Sequence, residues 1–458
     1  MNVPFGRNLK KLLSVTMAGA LAASVLTGCG TAGANDASSN AGGSAADSNV
    51  TEVTLWHAMS GTNGEALDTL VERFNESQSE IHVTAEYQGT YDDSKTKFGA
   101  AVQSGDVPDI LQMYEVGTQY MIDLDCYVPV QDFMDANGDE NNIIDSIANY
   151  YTYEGKMLSM PFNTSTPVLW INKDICAQAG LDVDNPPKTF EEVMEWSKAI
   201  VDGGYCEAGF SAAVYGWYFE QMIAGLGLNY GNNDNGRSGR MTAVEFDSNG
   251  ALNKVLTTWK DWMDSGYCAS YGTNTADTQT AFKAGQVAMI LESSGCLGTF
   301  MEDCAFEVSN ANFPKIEEND NGGVIIGGAS MWMIDTGDEA RENAAYQFLS
   351  YCAEAEQQAY WSTATGYLPV NEDAVETETF TNYAKETPLA LTAVNQLLEN
   401  PVNVATQGCL TGVSSEARTI FQDNIEALIN GQKDVAAAEK DITDRINAAV
   451  ADYNANNS

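Results

Sequence analysis

Residues 51–114, TEVTLWHAMSGTNGEALDTLVERFNESQSEIHVTAEYQGTYDDSKTKFGAAVQSGDVPDILQMY, decide the fold. Val53-Thr-Leu-Trp56 reads as a short strand, followed by a turn at Gly61 to Gly64. Leu67, Leu70, Val71 and Phe74 then recur at the spacing of one helix face. Ile81-His-Val-Thr-Ala-Glu-Tyr87 is a second strand and 91–103 a second helix. Asp106-Val-Pro-Asp109 leads into a third strand, Ile110-Leu-Gln-Met-Tyr114. This alternation predicts βαβ units and a mostly parallel sheet, since parallel neighbours need a crossover long enough to hold a helix.

The pattern continues outward. Thr189-Phe-Glu-Glu192 is a capping box, and Phe190, Val193 and Ile200 carry its helix on. Residues 251–263 form a helix rich in Trp and Leu, and 286–291 an apolar strand. The run 324–334 encloses Gly327-Gly328, which predicts a bend or close backbone approach. Residues 341–361, 414–428 and 434–453 read as long amphipathic helices. No internal repeat is visible. The fold class expected is α/β in more than one lobe.

Composition narrows the function. At 458 residues the chain exceeds one ordinary domain, and 44% hydrophobic residues suffice for large cores. With 64 acidic against 22 basic residues the net charge is −42, which repels nucleic acid and anionic headgroups. His57 and His82 are the only histidines, with no H-E-x-x-H and no paired-Cys spacing, which speaks against zinc catalysis. Neither G-x-S-x-G nor a P-loop is present. The Asn/Asp/Gly clusters at 135–142 and 231–236 lack the Glu of a calcium loop's twelfth position and read as solvated turns. No catalytic residue, metal or cofactor is expected.

The N-terminus predicts export. Arg7, Lys10 and Lys11 precede an apolar stretch ending in Leu26-Thr-Gly-Cys29, too short for a stable spanning helix. Leu-x-Gly-Cys resembles the lipobox of bacterial lipoproteins, which implies cleavage after residue 28 and lipidation of Cys29. Losing those three cations lowers the net charge from −42 by three, to −45. Residues 30–49 hold no large apolar side chain and should be a flexible tether. Two acyl chains suffice for a stable hold on the membrane, so the expected location is extracytoplasmic, lipid-anchored to the cell membrane. Eight cysteines remain, whose pairing, if any, cannot be deduced from spacing.

Several aromatics sit beside small residues instead of in helical stripes: Tyr91 after Gly89-Thr90, Trp217 after Gly216, Tyr367 after Gly366. Rings on loops suit the wall of a polyol pocket, although a core position near a turn is the commoner place for any single one of them.

Motifs spread in order over 51–455 resemble the extracellular solute-binding proteins of ABC importers, and within them the branch that binds sn-glycerol-3-phosphate. They are Leu55-Trp-His-Ala-Met59, Leu111-Gln-Met-Tyr-Glu-Val-Gly117, Met160-Pro-Phe-Asn-Thr-Ser-Thr-Pro-Val168, Ile171-Asn-Lys-Asp174, Asn185-Pro-Pro-Lys-Thr189, Ile325-Ile-Gly-Gly-Ala-Ser330 and Thr365-Gly-Tyr-Leu-Pro369. The resemblance implies a periplasmic-binding-protein-like fold, two α/β lobes with a hinge and an interlobe cleft. One lobe would comprise 51–162 and 331–371, the other 163–330 and 372–455. It implies a small glycerol phosphate or phosphodiester ligand, a permease with its ATPase as partner, and a monomer.

Matched position by position, the implied ligand residues are Tyr91, Glu115, Ser165, Trp217, Ser293, Gly328, Tyr367 and Arg418. The chemistry is consistent with that set. A phosphate wants an arginine fork, hydroxyl donors and a free backbone N–H. A carboxylate such as Glu115 repels phosphate, so it should accept from the glycerol hydroxyls. Arg418 could instead pair on the surface with Glu416 or Asp423. Two departures stand out: Val214 replaces the first Trp of the family's Trp-x-Gly-Trp, and Leu410 stands where the family has a second arginine. More room and less positive charge favour a phosphodiester such as glycerophosphocholine as competitor to the monoester. An oligosaccharide receptor is the alternative ligand class. An anchored glycosidase would need a second carboxylate facing Glu115, for which the sequence offers no clear candidate.

Overall fold

The computed structural model describes residues 50–140 and 142–457; the expected export signal, Cys29 and tether residues up to Asn49 lie outside them. Twelve strands run through the described residues: β1 Thr51–His57, β2 Ile81–Tyr87, β3 Ile110–Tyr114, β4 Tyr127–Val128, β5 Thr152–Tyr153, β6 Lys156–Met157, β7 Met160–Ser165, β8 Pro167–Asn172, β9 Ala208–Ser211, β10 Val287–Ser293, β11 Val308–Asn312 and β12 Gly327–Ile334.

The first sheet has the order β2-β1-β3-β12-β4, with β7 also on β12. β1 lies parallel to β2 with Thr51 opposite Ile81, and parallel to β3 with Leu55 opposite Ile110. The crossover helix Gly61–Ser77 buries Leu67, Leu70, Val71 and Phe74, the stripe its spacing predicts. It begins at Gly61, so the glycine-rich segment read as a turn forms the first helical turn. β12 enters this sheet antiparallel to β3 and to β7.

The second sheet, β11-β8-β10-β9, is mixed. β8 is antiparallel to β10 and β11, and only β9 and β10 run parallel. The expectation of a mostly parallel sheet therefore holds for the β1–β3 unit and fails here. Both β7 and β8 are wholly buried, as a strand covered on both faces should be.

Each sheet is the centre of one α/β lobe. The chain passes from the first sheet to the second between Ser165 and Pro167, and the single linking residue, Thr166, is held by Ser294. Ser294 N donates to the Thr166 carbonyl and Ser294 Oγ accepts from Thr166 N. The strand expected over 324–334 is regular only from Gly327. Ahead of it, side-chain amides take the strand's place: Asn400 Oδ1 accepts from Val324 N, and Gln221 Oε1 from Ile325 N, each at 2.8–2.9 Å.

The long helix expected over 341–361 is two helices, Glu339–Ala353 and Ala355–Thr365, broken at Glu354 by one extended residue. Gln358 Nε2 donates to the Cys352 carbonyl freed at the break, at 2.7 Å. The capping box at Thr189 and Glu192 forms as read. In the cluster at 231–236, Asn233, Asp234 and Asn235 all adopt positive φ. Asn235 Oδ1 accepts from Tyr230 N and Gly231 N, so this turn is braced from within and Asn235 is buried, not solvated. The eight described cysteines are free thiols.

Candidate functional site

Tyr91 opens the helix Tyr91–Ser104 directly after its cap. Thr90 Oγ1 accepts from Asp93 N at 3.2 Å while Asp93 Oδ2 accepts from Thr90 N at 3.0 Å, a reciprocal capping box. A buried chain of amides then fixes the Tyr91 hydroxyl. Gln112 Oε1 accepts from Ala58 N at 2.8 Å, Gln112 Nε2 donates to Asn163 Oδ1 at 2.8 Å, and Asn163 Nδ2 donates to Tyr91 Oη at 2.9 Å. Tyr367 lies close enough to Asn163 and Tyr91 for both side chains to act on its hydroxyl. Tyr114 stacks on Tyr91 with ring centroids 5.4 Å apart and planes 7° from parallel.

Glu115 follows β3 immediately, in the single 3-10 turn Glu115–Gly117. Its carbonyl accepts from Thr118 Oγ1 at 2.7 Å and from Tyr150 Oη at 3.0 Å, so the backbone is held and the carboxylate is free to point elsewhere. Gly117 lies close under Met113: a Cβ there would run into its Sδ, so the methionine side chain would have to move.

Arg418 stands on the helix Ser414–Ile429 and is buried, not on the surface with Glu416 or Asp423. Its Nε donates to Glu220 Oε1 at 2.8 Å and its Nη2 to Glu220 Oε2 at 2.7 Å, a two-pronged pair. The same Nη2 donates to Glu115 Oε1 at 3.0 Å. The three side chains keep only 10–17% of their exposure. Burial by itself would lower Arg418, but Glu220 and then Glu115 override it and hold the guanidinium charged. Burial raises Glu115 above the ordinary carboxylate range, Arg418 opposing and Glu220 adding to it. Tyr215 brings its ring to 5.9 Å from the guanidinium carbon.

The remaining matched residues divide. Ser165 pairs with Gly327 across β7 and β12, and Trp217 packs over Gly327, where a Cβ would meet its ring at 2.9 Å. Trp217 Nε1 is buried with no acceptor among the described residues. Gly328 has φ +103°, and a Cβ on it would run into the Asn163 carbonyl. Ser293 ends β10, where its Oγ accepts from Gly295 N at 3.2 Å, so it caps a turn. Beside it, Glu292 is a buried acid, raised by burial and accepting from Gln279 Nε2 and Ser293 N.

The two departures have structural outcomes. Val214 is fully buried, and its neighbour Tyr215 is the one that reaches the guanidinium. Leu410 is core. A second arginine, Arg237, stands close by, but it donates to the carbonyls of Tyr150, Thr152, Gly408 and Gln407 and thereby ties the loop before the late helix to the first lobe's elements. Glu220, Asn163, Gln112 and Tyr114 were not among the candidates. Gln112, Tyr114 and Asn163 lie inside the quoted motifs, whereas nothing in the sequence singles out Glu220.

Facing carboxylates and one guanidinium, beside tyrosines and a tryptophan, offer hydrogen-bonding groups of the kind a polar, hydroxylated small molecule can use. The profile of the bacterial extracellular solute-binding protein family matches residues 69–388. The sn-glycerol-3-phosphate-binding periplasmic protein UgpB of Yersinia pseudotuberculosis is 34% identical over 85% of this chain and 90% of its own length. The protein of the same name from Salmonella typhimurium is 32% identical over 87% of this chain and 92% of its own. The chain belongs to the bacterial extracellular solute-binding protein family.

It is therefore the solute-binding protein of an ABC importer, built as two lobes around a cleft. Among solved structures, the cyclic alpha-maltosyl-1,6-maltose binding protein from Arthrobacter globiformis superimposes with a TM-score of 0.73 at 25% identity, over 88% of this chain and all of that one. UgpB from Mycobacterium tuberculosis in complex with glycerophosphocholine has the same fold, with a TM-score of 0.73 at 22% identity over 88% of this chain and 99% of that one. Among the described residues of this solute-binding protein no helix is long and apolar enough to cross a membrane, and no cluster of three or more His, Cys, Asp or Glu could hold a metal ion.

Proposed function

We propose that this solute-binding protein captures a glycerophosphate, as sn-glycerol-3-phosphate or a glycerophosphodiester, and delivers it to the importer's permease without chemical turnover. The observation that carries the reading is Arg418 and Glu115 meeting at 3.0 Å, one from the late helix and one from the turn after β3. A ligand with an anionic and a hydroxylated end separates those two needs. The phosphate takes guanidinium N–H groups, and Glu115 turns to accept from adjacent glycerol hydroxyls. Trp217 Nε1, an unpartnered buried donor, adds one more bond to ligand oxygen. Curated relatives over most of the chain carry the glycerol-3-phosphate name, and a structure of this fold holds glycerophosphocholine.

The body acts as a monomer tethered by a lipidated Cys29, with lobes 51–162 plus 331–371 and 163–330 plus 372–455 closing on the ligand about the Thr166 crossing. An oligosaccharide is the second reading. The stacked Tyr91–Tyr114 pair and the maltosyl-binding protein of the same fold favour it.

Calorimetry with glycerol-3-phosphate, glycerophosphocholine, glycerophosphoethanolamine and maltose separates the two. Saturable binding of a phosphate ligand with none of maltose is the expected result. Binding of maltose alone would replace it with the sugar reading.

A further inference from the structure

We propose that Glu220 sets the charge selectivity of the ligand site, disfavouring phosphate monoester dianions and favouring diesters. The inference rests on the glycerophosphate reading above. Its starting point is which edges of Arg418 are taken. Glu220 occupies the Nε–Nη2 edge with both carboxylate oxygens, at 2.8 and 2.7 Å. What remains for a phosphate is the Nη1–Nη2 edge, where Glu115 already shares Nη2. A phosphate there meets directed donors, but the positive charge behind them is already balanced by Glu220.

The surroundings do not make up the difference. Arg237, the other arginine nearby, is half-buried and directed at four backbone carbonyls. Glu292, beside Ser293 and close enough to Tyr215 to act on its charge, adds a further buried acid. The groups around Arg418 that could relieve the imbalance, Tyr150, Tyr215 and Tyr230, are neutral hydroxyls raised by burial. A dianion placed here adds two charges to a set already carrying an excess acid, in a setting of low dielectric. A phosphodiester adds one, and a diester whose head group is cationic adds none. Glu220 is thus a repulsive element that discriminates between two ligands sharing the same glycerophosphate core.

The test compares wild type, Glu220→Gln and Glu220→Asp by calorimetry against sn-glycerol-3-phosphate and glycerophosphocholine. The amide keeps the shape and one acceptor for Arg418 while removing the charge, and the aspartate keeps the charge. Wild type and Glu220→Asp should prefer the diester at least tenfold, and Glu220→Gln should shrink that preference at least tenfold by strengthening the monoester. An unchanged ratio in a Glu220→Gln protein that melts cooperatively would overturn the inference. Should that variant fail to fold, wild type is compared on glycerol-3-phosphate and its methyl diester. The diester should bind at least tenfold more tightly, and equal affinity would overturn the proposal. Failure of both phosphate ligands to bind wild type is a distinct result, which brings down the glycerophosphate reading itself.

Discussion

Gly216 stands so close to Arg418 that a Cβ on it would lie 2.6 Å from the arginine's Cα. Gly216 is the first residue of the helix Gly216–Gly225, and Glu220 lies one turn further along it. The missing side chain lets this helix and Ser414–Ile429 touch backbone to side chain, which brings Glu220 onto the guanidinium. Gly216→Ala should therefore push the two helices apart. Overpacking of this kind costs about 1–3 kcal/mol, read as a lower midpoint in urea, and ligand affinity should fall with it. A variant with wild-type stability and weaker binding would mean that only the triad geometry moved.

Arg418→Ala should abolish most phosphate affinity and also destabilise the fold. Removing one partner of a buried pair costs about 3–5 kcal/mol because the other charge is left uncompensated. Here two carboxylates, Glu115 and Glu220, are left facing each other. The loss should depend on pH. Glu115 is already raised above 4.5 by burial, against the pull of Arg418. Without Arg418 it rises further in the folded state, while the unfolded chain keeps its ordinary value. Across that window the folded variant holds a proton that the unfolded chain has shed, so stability falls as pH rises. Thermal melts should show a small deficit against wild type at pH 5 and the full deficit at pH 8. An equal deficit at both would mean that the carboxylates separate and hydrate when the arginine goes.

The contrast between these residues shows what a sequence discloses. The stripe Leu67, Leu70, Val71 and Phe74 and the box Thr189–Glu192 are local, and spacing alone places them. Glu115 could be singled out only through its motif and Arg418 only through the position-by-position family match, since one acid or one arginine carries no direction by itself. Glu220 was invisible: it is one of 64 acidic residues, and its partner lies 198 positions away. The break at Glu354 has neither proline nor glycine to mark it. β12 could not be read as an antiparallel member of the first sheet, because strand direction follows from the path of the chain and not from the residues in the strand.

Gly328→Ala should be among the most damaging single substitutions. The position has φ +103°, where a side chain is strained, and a Cβ would meet the Asn163 carbonyl. Relief requires β7 and β12 to part at the bulge between Ala329 and Ser330. Asn163 would then lose its grip on Tyr91. We expect a loss of about 2 kcal/mol or more in chemical denaturation, together with weaker ligand binding. An alanine variant of unchanged stability would show that the neighbouring strand yields freely.

The thiols should be inert while the protein is folded. Cys176 and Cys352 are buried, and burial pushes Cys176 up to about 12 and Cys352 higher still. Cys126 is pushed to about 11, again chiefly by burial. Since the thiolate is the reactive form, alkylation at pH 8 should be slow in native protein and fast for all eight body cysteines in denaturant. Native-state mass spectrometry that finds rapid labelling of Cys176 or Cys352 would reveal local opening.

Tyr215→Ala tests where a cationic head group rests. The ring lies 5.9 Å from the Arg418 guanidinium carbon and stands edge-on to Tyr218 at 6.0 Å. If its face also receives a quaternary ammonium, its removal should weaken glycerophosphocholine by about 0.5–2 kcal/mol, the range for exposed to desolvated cation–π contacts. Glycerol-3-phosphate has no cation to lose, so its affinity should change only as far as Arg418 is less well held. The measurement is the ratio of the two affinities in wild type and variant. A selective loss of the choline ester places the head group on Tyr215. Equal losses for both ligands would assign the ring to positioning Arg418 alone, and the head group would then have to lie against another face, with Trp217→Phe as the next variant to measure.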